Sequence, residues 1–522
     1  MALSTIIRQT CQICGKIAVE KSSVRLGEKR IVTLECGHIT SEKSLKSQSD
    51  EDIATILNGC RLMPYQVQGV KFLQTADAKA LLADEQGLGK TIQAAALLKL
   101  HFKELTPCII VCPTTVKLQW MHELISKCDI KLIQVIGSTK EMAAPGFDVY
   151  VTTYDLLKTE KCFDLVKDKI KFIIIDECQR IKNHLSDRAK AVQKISKSIE
   201  HILPMSGTPI KNHAGEYFTV LNLVRPRLYP HYANFIDNEC DSYRSPYGYK
   251  VGGLKYPEQF HEDTKEFILR RTKAEVLKDL PELMRKFHHA ELNPKLNKAY
   301  AEALKELDDL LYDNDMNAME RNSKSIAIMT KMRQITGIGK VQTCVDWVTE
   351  FLMSCDRKLT IFVHHHVVAD MLIATLNKWL DDGGFKSCLH MSASLDADHR
   401  ENLARKFKEQ EYRVMIASTL AAGEGINLQF CSDAIMMERQ WNPANEEQAE
   451  GRFHRFGQTN TVSVTYMIAS ETIDEYFTTL VENKRAIVSS TLDNREIQWD
   501  QQSLMKELAQ ILVTKGKSAW KL

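Results

Sequence analysis

A chain of 522 residues with 44% hydrophobic and 26% charged side chains has a globular composition and exceeds one ordinary domain, so three or four folding units are expected. A formal charge of +2 neither demands nor excludes a nucleic-acid partner, because one basic groove in an acidic exterior leaves the total unchanged. No run of eighteen apolar residues reads as a membrane span, and MALSTIIRQTCQIC lacks the apolar core and cleavage site of a secretory signal. The expectation is an intracellular protein of the cytoplasm, nucleoid or nucleus.

Residues 1–50 read as a short polar module carrying Cys11 and Cys14 in CQIC, then Cys36 and His38 in LECGH. A C-x2-C knuckle, about twenty residues and C-x-H match the ligand spacing of one tetrahedral Zn²⁺, with Cys60 as the alternative fourth ligand. So small a module has little core of its own, and a metal can supply its folding energy. The remaining cysteines are scattered singly through apolar runs, as suits a reducing compartment.

Over 51–226 short aliphatic runs (CIIVCP, KLIQVI, VYVTTY, FIIIDE, HILPMSG) alternate with amphipathic stretches, which predicts buried parallel strands with crossover helices. Residues 227–335 carry helical spacing and few strand signals and are expected to form a helical insert. A second α/β stretch follows over 336–487 (LTIFVHH, SCLHMS, RVMIAST, DAIMME, VSVTYMI), and 488–522 has the spacing of a helical tail. The fold class is therefore α/β: two lobes, each a parallel sheet flanked by helices, with a helical insert and a small zinc module.

In LLADEQGLGKTIQ, residues 81–93, a strand runs into a glycine-bearing turn and a helix. Gly89, Lys90 and Thr91 fit the end of a phosphate-binding loop, but Asp84 stands where the first loop glycine is expected. The turn's N–H groups and the helix N-terminus would surround a phosphate. Lys90 would reach the β- and γ-phosphates and the Thr91 hydroxyl would ligate Mg²⁺. Downstream, FIIIDECQ sets Asp176 and Glu177 at the carboxyl end of an apolar strand, where α/β ligand sites lie. Asp176 would hold Mg²⁺ and Glu177 would orient or deprotonate an attacking water.

The blocks DEQGLGKT, DECQRIKN, SGTPIKN, FILRRTKAEVLKDLP, MRQITGIGK, STLAAGEGINL and WNPANEEQAEGRFHRFGQT together resemble the ordered motifs of the Swi/Snf-related ATPases of helicase superfamily 2. The stretch SYRSPYGYKVGGLKYPEQFHEDTKEFILRRTK resembles the compact annealing-helicase branch more than the nucleosome remodellers. In that family aspartate is common at the first loop position, and the resemblance implies two RecA-like lobes. It also implies that Tyr65 and Gln66 read adenine, and that Asp84, Gly87, Gly89, Lys90, Thr91, Gly423 and Gly425 surround the nucleotide. Pro113, Thr114, Lys117, Thr152, Thr153 and Asn427 would grip a nucleic-acid backbone. Ser206 and Thr208 would couple hydrolysis to that grip through Gln179, which replaces the histidine of many relatives. Arg452 and Arg455, on one helix face and supported by Gln448, would act as arginine fingers.

The implied activity is an ATP- and Mg²⁺-dependent translocase, expected to be monomeric, on double-stranded or forked DNA, with a replication or transcription protein as a candidate partner. A strand-separating DNA or RNA helicase is the alternative enzyme. A nucleotide-gated binding protein, recruited through the zinc module, is the alternative of another class.

Overall fold

The structure, a computed structural model, describes residues 8–10, 17–26, 29–34, 39–43, 45–164, 166–210, 213–245, 248–311, 318–419, 427–440, 443–479 and 481–482. It divides into Met1–Val276 and Leu277–Leu522. The expected tail, 488–522, lies outside the described residues.

The N-terminal module is a four-stranded antiparallel sheet: β1 (Arg8–Thr10), β2 (Ile17–Leu26), β3 (Lys29–Leu34) and β4 (Ile39–Lys43), paired in chain order. Thr10 opposes Ile17, Glu20 opposes Leu34, and Thr33 opposes Ile39. The proposed zinc ligands Cys11, Cys14, Cys36 and His38 all lie outside the described residues.

The larger sheet of the first unit has seven parallel strands. In chain order these are β5 (Leu81–Leu82), β6 (Cys108–Cys112), β7 (Ile133–Val135), β8 (Val149–Thr153), β9 (Phe172–Asp176), β10 (His201–Met205) and, after a hairpin, β13 (Ile268–Leu269). Their spatial order is β13-β5-β10-β9-β6-β8-β7. The central strands β6, β8 and β10 are buried at every position, because helices cover both faces of a parallel sheet and leave no side of the strand for polar residues. This order sets β5, β10 and β9 side by side, with Met205 opposite both Leu82 and Asp176. Three loops that lie far apart in sequence therefore leave from one stretch of the sheet's carboxyl edge.

The stretch 227–335 departs from the expected helical insert. It contains the hairpin β11 (Cys240–Ser245) and β12 (Gly248–Leu254), and β13, which closes the edge of the first sheet beside β5. It also contains β14 (Leu283–Ala290), which closes an edge of the sheet in the second unit. Only Pro294–Leu311 and Ala318–Gly339 form the long helices that the spacing predicts. Edge strands are short or half-solvated, so neither β13 nor the mostly exposed LMRKFHHA of β14 shows the apolar run that marks a central strand.

The second unit carries β14 with β15 (Leu359–Val363), β16 (Leu389–Met391), β17 (Val414–Ser418), β18 (Asp433–Met436) and β19 (Val462–Ala469), all parallel, in the order β14-β19-β18-β15-β17-β16. Alternate residues enter opposite layers, as strand geometry requires. Leu359, Ile361 and Val363 pack with the helices Val341–Ser354 and His366–Asp382. Phe362, Met415 and Ala417 pack on the other face with Phe407 and Phe453.

Under β19 the Lys340 ammonium, 1% exposed, donates to Asp474 and to the Met467 carbonyl at 3.1 Å, and Thr336 donates to the same carboxylate at 3.1 Å. Replacing one member of a buried pair strands the other, at a cost of about 3–5 kcal/mol. Lys340→Ala is therefore expected to lower the urea midpoint of the chain, whereas the exposed-pair variant Lys331→Ala, whose partner is Glu306, should leave it within error. Equal midpoints for the two variants would show that the buried pair does not stabilise the fold.

Candidate active site

The turn after β5 leads into the helix Lys90–Leu100, whose N-cap is Gly89. Gly87 and Gly89 take φ of +89° and +75°, a region that L side chains rarely adopt. A Cβ on Gly89 would also lie 2.5 Å from Gln66 Nε2. Lys90 Nζ donates to the Asp84 carbonyl at 2.7 Å and the Glu85 carbonyl at 3.3 Å. Desolvation pushes its ammonium down from the usual range, while Glu177, Asp84 and Asp176 pull it up. Thr91 follows it on the first turn, half-buried.

Asp84 has a different environment from the one expected of a nucleotide contact. Its side chain is 0% exposed, accepts from Arg271 Nε at 3.0 Å and Gln93 Nε2 at 3.0 Å, and takes a second bond from Arg271 Nη2. The carboxylate at the first loop position is thus a buried anchor of the turn. The flanking residues are fixed from the same segment. Arg270 Nη1 donates to the Ala83 carbonyl at 3.0 Å, and Glu85 accepts from the Lys273 N–H at 2.7 Å.

Gln66, 9% exposed, spends its amide within the chain. Its oxygen accepts from the Met63 N–H at 3.0 Å and its nitrogen donates to the Leu88 carbonyl at 3.3 Å. Tyr65, beside it, is 5% exposed. The segment expected to read adenine is therefore tied to the phosphate loop through one side chain.

At the end of β9, Asp176 accepts from Trp120 Nε1 at 2.9 Å, and the Asp176 carbonyl accepts from the Tyr154 hydroxyl at 2.5 Å. Burial and the neighbouring Glu177 push the Asp176 carboxyl up to about 6, against the lowering effect of Trp120 and Lys90. Glu177 itself stands at φ +56°, a left-handed conformation that costs a non-glycine residue on the order of 1 kcal/mol or more and is found at functional sites. Glu177 accepts from the Gln179 amide, Gln179 Oε1 accepts from Ser206 Oγ at 2.6 Å, and Ser206 Oγ accepts from the Thr208 N–H at 3.0 Å. Gln179, Ser206 and Thr208 are each about 5% exposed or less. The Thr208 hydroxyl oxygen is buried without a hydrogen-bond partner among the described residues. Between Ser206 and Thr208, a Cβ on Gly207 would meet Gln86 Cγ at 2.3 Å and Lys90 Nζ at 3.3 Å. The loop after β10 thus lies directly against the phosphate loop.

The expected backbone grip divides. Thr114 is exposed and Lys117 half-buried, at the start of the helix Lys117–Cys128, with Pro113 buried ahead of them. Thr152 is 0% exposed within β8, and the Thr153 hydroxyl accepts from the Leu156 N–H at 3.3 Å as a helix N-cap. Of these two hydroxyls, expected to contact nucleic acid, one is turned into the core and the other serves the backbone.

In the second unit Gln448 lies half-buried in the helix Pro443–Glu450. That helix stops before Gly451, so Arg452 and Arg455 occupy the turns after it and not a shared helix face. Both are half-buried, and the Arg452 carbonyl accepts from the Leu428 N–H at 3.2 Å. Asn427 is exposed and accepts from the Gln429 N–H at 3.2 Å. Gly423 and Gly425 lie outside the described residues. Cys60 is half-buried and joins no cluster of metal-ligating side chains among the described residues. Sequence reasoning assigned no role to Trp120, Tyr154, Gln93 or Arg271. Arg271 sits in the quoted block FILRRTKAEVLKDLP, but nothing in the sequence names its partner.

Residues 65–337 match the model of the SNF2-related domain, and residues 340–457 that of the helicase conserved C-terminal domain. A Caenorhabditis elegans homologue of the SWI/SNF-related matrix-associated actin-dependent regulator of chromatin subfamily A-like protein 1 is 31% identical over 81% of this chain and 61% of its own length. The mouse DNA annealing helicase and endonuclease ZRANB3 is 28% identical over 84% of this chain and 41% of its own. The chain thus spans less than two thirds of either relative. The Sulfolobus solfataricus SWI2/SNF2 ATPase core in complex with dsDNA aligns over 90% of this chain and 99% of that one, at 23% identity and a TM-score of 0.40.

The raised Asp176 carboxyl has a consequence for stability. Between the ordinary carboxylate range of about 4 and its folded value of about 6, the folded state holds a proton that the unfolded state has lost. Stability therefore falls as pH rises through that window, and the ionised group costs stability above it. Asp176→Asn keeps an acceptor for Trp120 without the charge. It is expected to melt above the wild type at pH 7.5, with the difference shrinking towards pH 4 in thermal scans. A lower melting temperature at pH 7.5 would mean that the native site favours the charged form.

Proposed function

The chain belongs to the SNF2-related family, and from that premise we propose that it is an ATP- and Mg²⁺-dependent translocase acting on double-stranded or branched DNA. The observation that carries this reading is the convergence on one sheet edge of Lys90, the Asp176–Glu177 pair and the buried relay Glu177–Gln179–Ser206–Thr208.

A triphosphate would lie along the turn, with Lys90 turning its ammonium from the loop carbonyls to the β- and γ-phosphates. The donor set of a hydroxyl and a carboxylate, Thr91 and Asp176, suits Mg²⁺, which supplies charge neutralisation on the phosphate oxygens when bound. Glu177 orients a water and receives its proton. Gln179 fixes the Glu177 carboxylate through its amide, and its other end is read by Ser206. A shift of the loop after β10 would therefore be felt at the attacking water. The Gln179 amide fills this position without a titratable ring. Arg452 and Arg455 take the charge-neutralising role on the strength of their motif. Thr114 and Lys117, at a strand end and a helix start, are suited to phosphates of a DNA backbone.

The two relatives point to the substrate: one is named as a DNA annealing helicase and endonuclease, the other as a regulator of chromatin. The chain moves along the duplex without processive strand separation. Steady-state hydrolysis should rise strongly with duplex or forked DNA. Glu177→Gln should lower it by about 10²–10⁴-fold while leaving the affinity for ATP near the wild type. Stimulation by single strands or RNA alone would select the strand-separating helicase. Binding of ATP without turnover under any nucleic acid would select the nucleotide-gated clamp.

We also infer that residues 1–50 hold one Zn²⁺. The pairings of Thr10 with Ile17, Glu20 with Leu34 and Thr33 with Ile39 support this, because the strand ends flanking both cysteine-bearing connections then belong to one end of the sheet. Elemental analysis should give one zinc per chain, and Cys11→Ser with Cys14→Ser should remove it; zinc retained by that double variant would rule out these ligands.

A further inference from the structure

Arg271 is not among the residues to which phosphate chemistry assigns a task, yet the site converges on it. Its guanidinium donates through Nε and Nη2 to the two oxygens of Asp84, through Nη2 to Gln93 Oε1 at 3.1 Å, and through Nη1 to the Tyr65 carbonyl. The same group lies 5.6 Å from the centroid of the Tyr65 ring. Four acceptor atoms on three residues, from three separate segments, are held by one planar side chain. Asp84 belongs to the phosphate loop, Gln93 to the helix that follows it, and Tyr65 to the helix Pro64–Thr75. Arg271 itself extends the β13 edge: the Glu85 N–H donates to the Arg271 carbonyl at 2.9 Å, just as Ala83 donates to Leu269 at 2.7 Å.

Space for this junction is made by a helix residue. Gly69 sits in the middle of Pro64–Thr75, where glycine weakens a helix relative to alanine. A Cβ there would lie 1.9 Å from Gln93 Oε1 and 2.8 Å from Arg271 Nη2. The helix thus gives up a side chain at the place where the Arg271–Gln93 contact needs room.

We propose that Arg271 is the positioning residue of the nucleotide site, setting the phosphate loop against the Tyr65–Gln66 segment through Asp84. This rests on the reading of the site as an ATP site and deepens it. Asp84 has no solvent to neutralise it, so its place in the loop is dictated by the Arg271 fork. Gln66 then joins the two by its bond to the Leu88 carbonyl. Such a residue acts on how well the nucleotide is held and touches none of the reacting atoms. Its loss should therefore appear in KM and in binding more than in kcat.

The test compares Arg271→Gln, Arg271→Lys, Asp84→Asn and the double variant Arg271→Gln/Asp84→Asn of the full chain. The readouts are kcat and KM for ATP with duplex DNA, the Kd of a fluorescent ADP measured without turnover, and a thermal melt. Arg271→Gln is expected to raise KM and Kd together by about tenfold or more, the scale of one lost charged hydrogen bond. The double variant should be no weaker than the worse single, because both remove one junction. Lysine keeps the charge beside Asp84 but lacks the planar fork. Arg271→Lys should therefore melt close to the wild type and still bind more weakly, which separates positioning from folding if the glutamine variant is unstable. Wild-type Kd in Arg271→Lys, additive losses in the double variant, or a fall in kcat at unchanged Kd would each overturn the proposal. The Kd is measured without DNA. A wild type that binds ADP but ignores duplex DNA therefore defeats the translocase reading while Arg271 is still judged on its own numbers.

Discussion

A carboxylate placed beneath the turn at Gly87 and Gly89 and closed off from water needs a cation of its own, and for Asp84 that cation is Arg271. Removing two charges from solvent costs several kcal/mol per ion, which only good geometry and additional hydrogen bonds offset. Here both conditions hold, since the fork meets both carboxylate oxygens and Gln93 completes the set. An ordinary phosphate loop uses glycine at this position and leaves the turn to define itself. In this chain the turn is defined from outside, by a segment almost two hundred positions further along that also forms the edge strand next to β5. The first sheet must therefore be complete to its last strand before the loop has its shape.

That dependence explains which parts of the molecule were legible. The strands β6, β9, β15 and β17 announce themselves because burial on both faces favours aliphatic runs. β13 and β14 do not, since an edge strand is half in solvent: β13 is only two residues long and is followed by Arg270 and Arg271, which serve the loop, and in β14 Arg285 meets Glu450 with two bonds at 2.8 and 2.6 Å. A helical insert is what remains when such strands are invisible. The phosphate loop and the acidic pair could be read because their chemistry fixes residue type and spacing together. Arg271 could not, because an arginine in a charged segment looks the same whether it ends in solvent or in the core.

The same logic separates the hydroxyls. Ser206 and Thr153 are both small polar residues at strand ends, and the motifs around them gave each a functional role. Ser206 lies between Gln179 and the Thr208 N–H and so belongs to a chain that ends at the Glu177 carboxylate. Thr153 ends at a helix N-terminus, where its oxygen satisfies an N–H that would otherwise lack a partner. Local backbone need, which no motif records, decided the role.

Glu177 joins these arguments. A glutamate at φ +56° stays there only if its surroundings hold it, and the Gln179 amide holds its side chain while the Arg180 N–H donates to its carbonyl at 3.0 Å. Its neighbour Asp176 is burdened in a different way, as a carboxyl raised by burial and by the adjacent negative charge. Lys90, lowered by the same burial, feels the charge of both acids. The site therefore stores two kinds of cost, one in backbone conformation and one in desolvated charge. On the proposed reading both would be relieved by the arrival of a polyanion with its divalent cation, with Lys90 then facing phosphates in place of loop carbonyls and Asp176 gaining a positive partner. A fold that anchors its loop through the Asp84–Arg271 pair can carry that load, because the anchor does not involve the groups that the ligand must recruit.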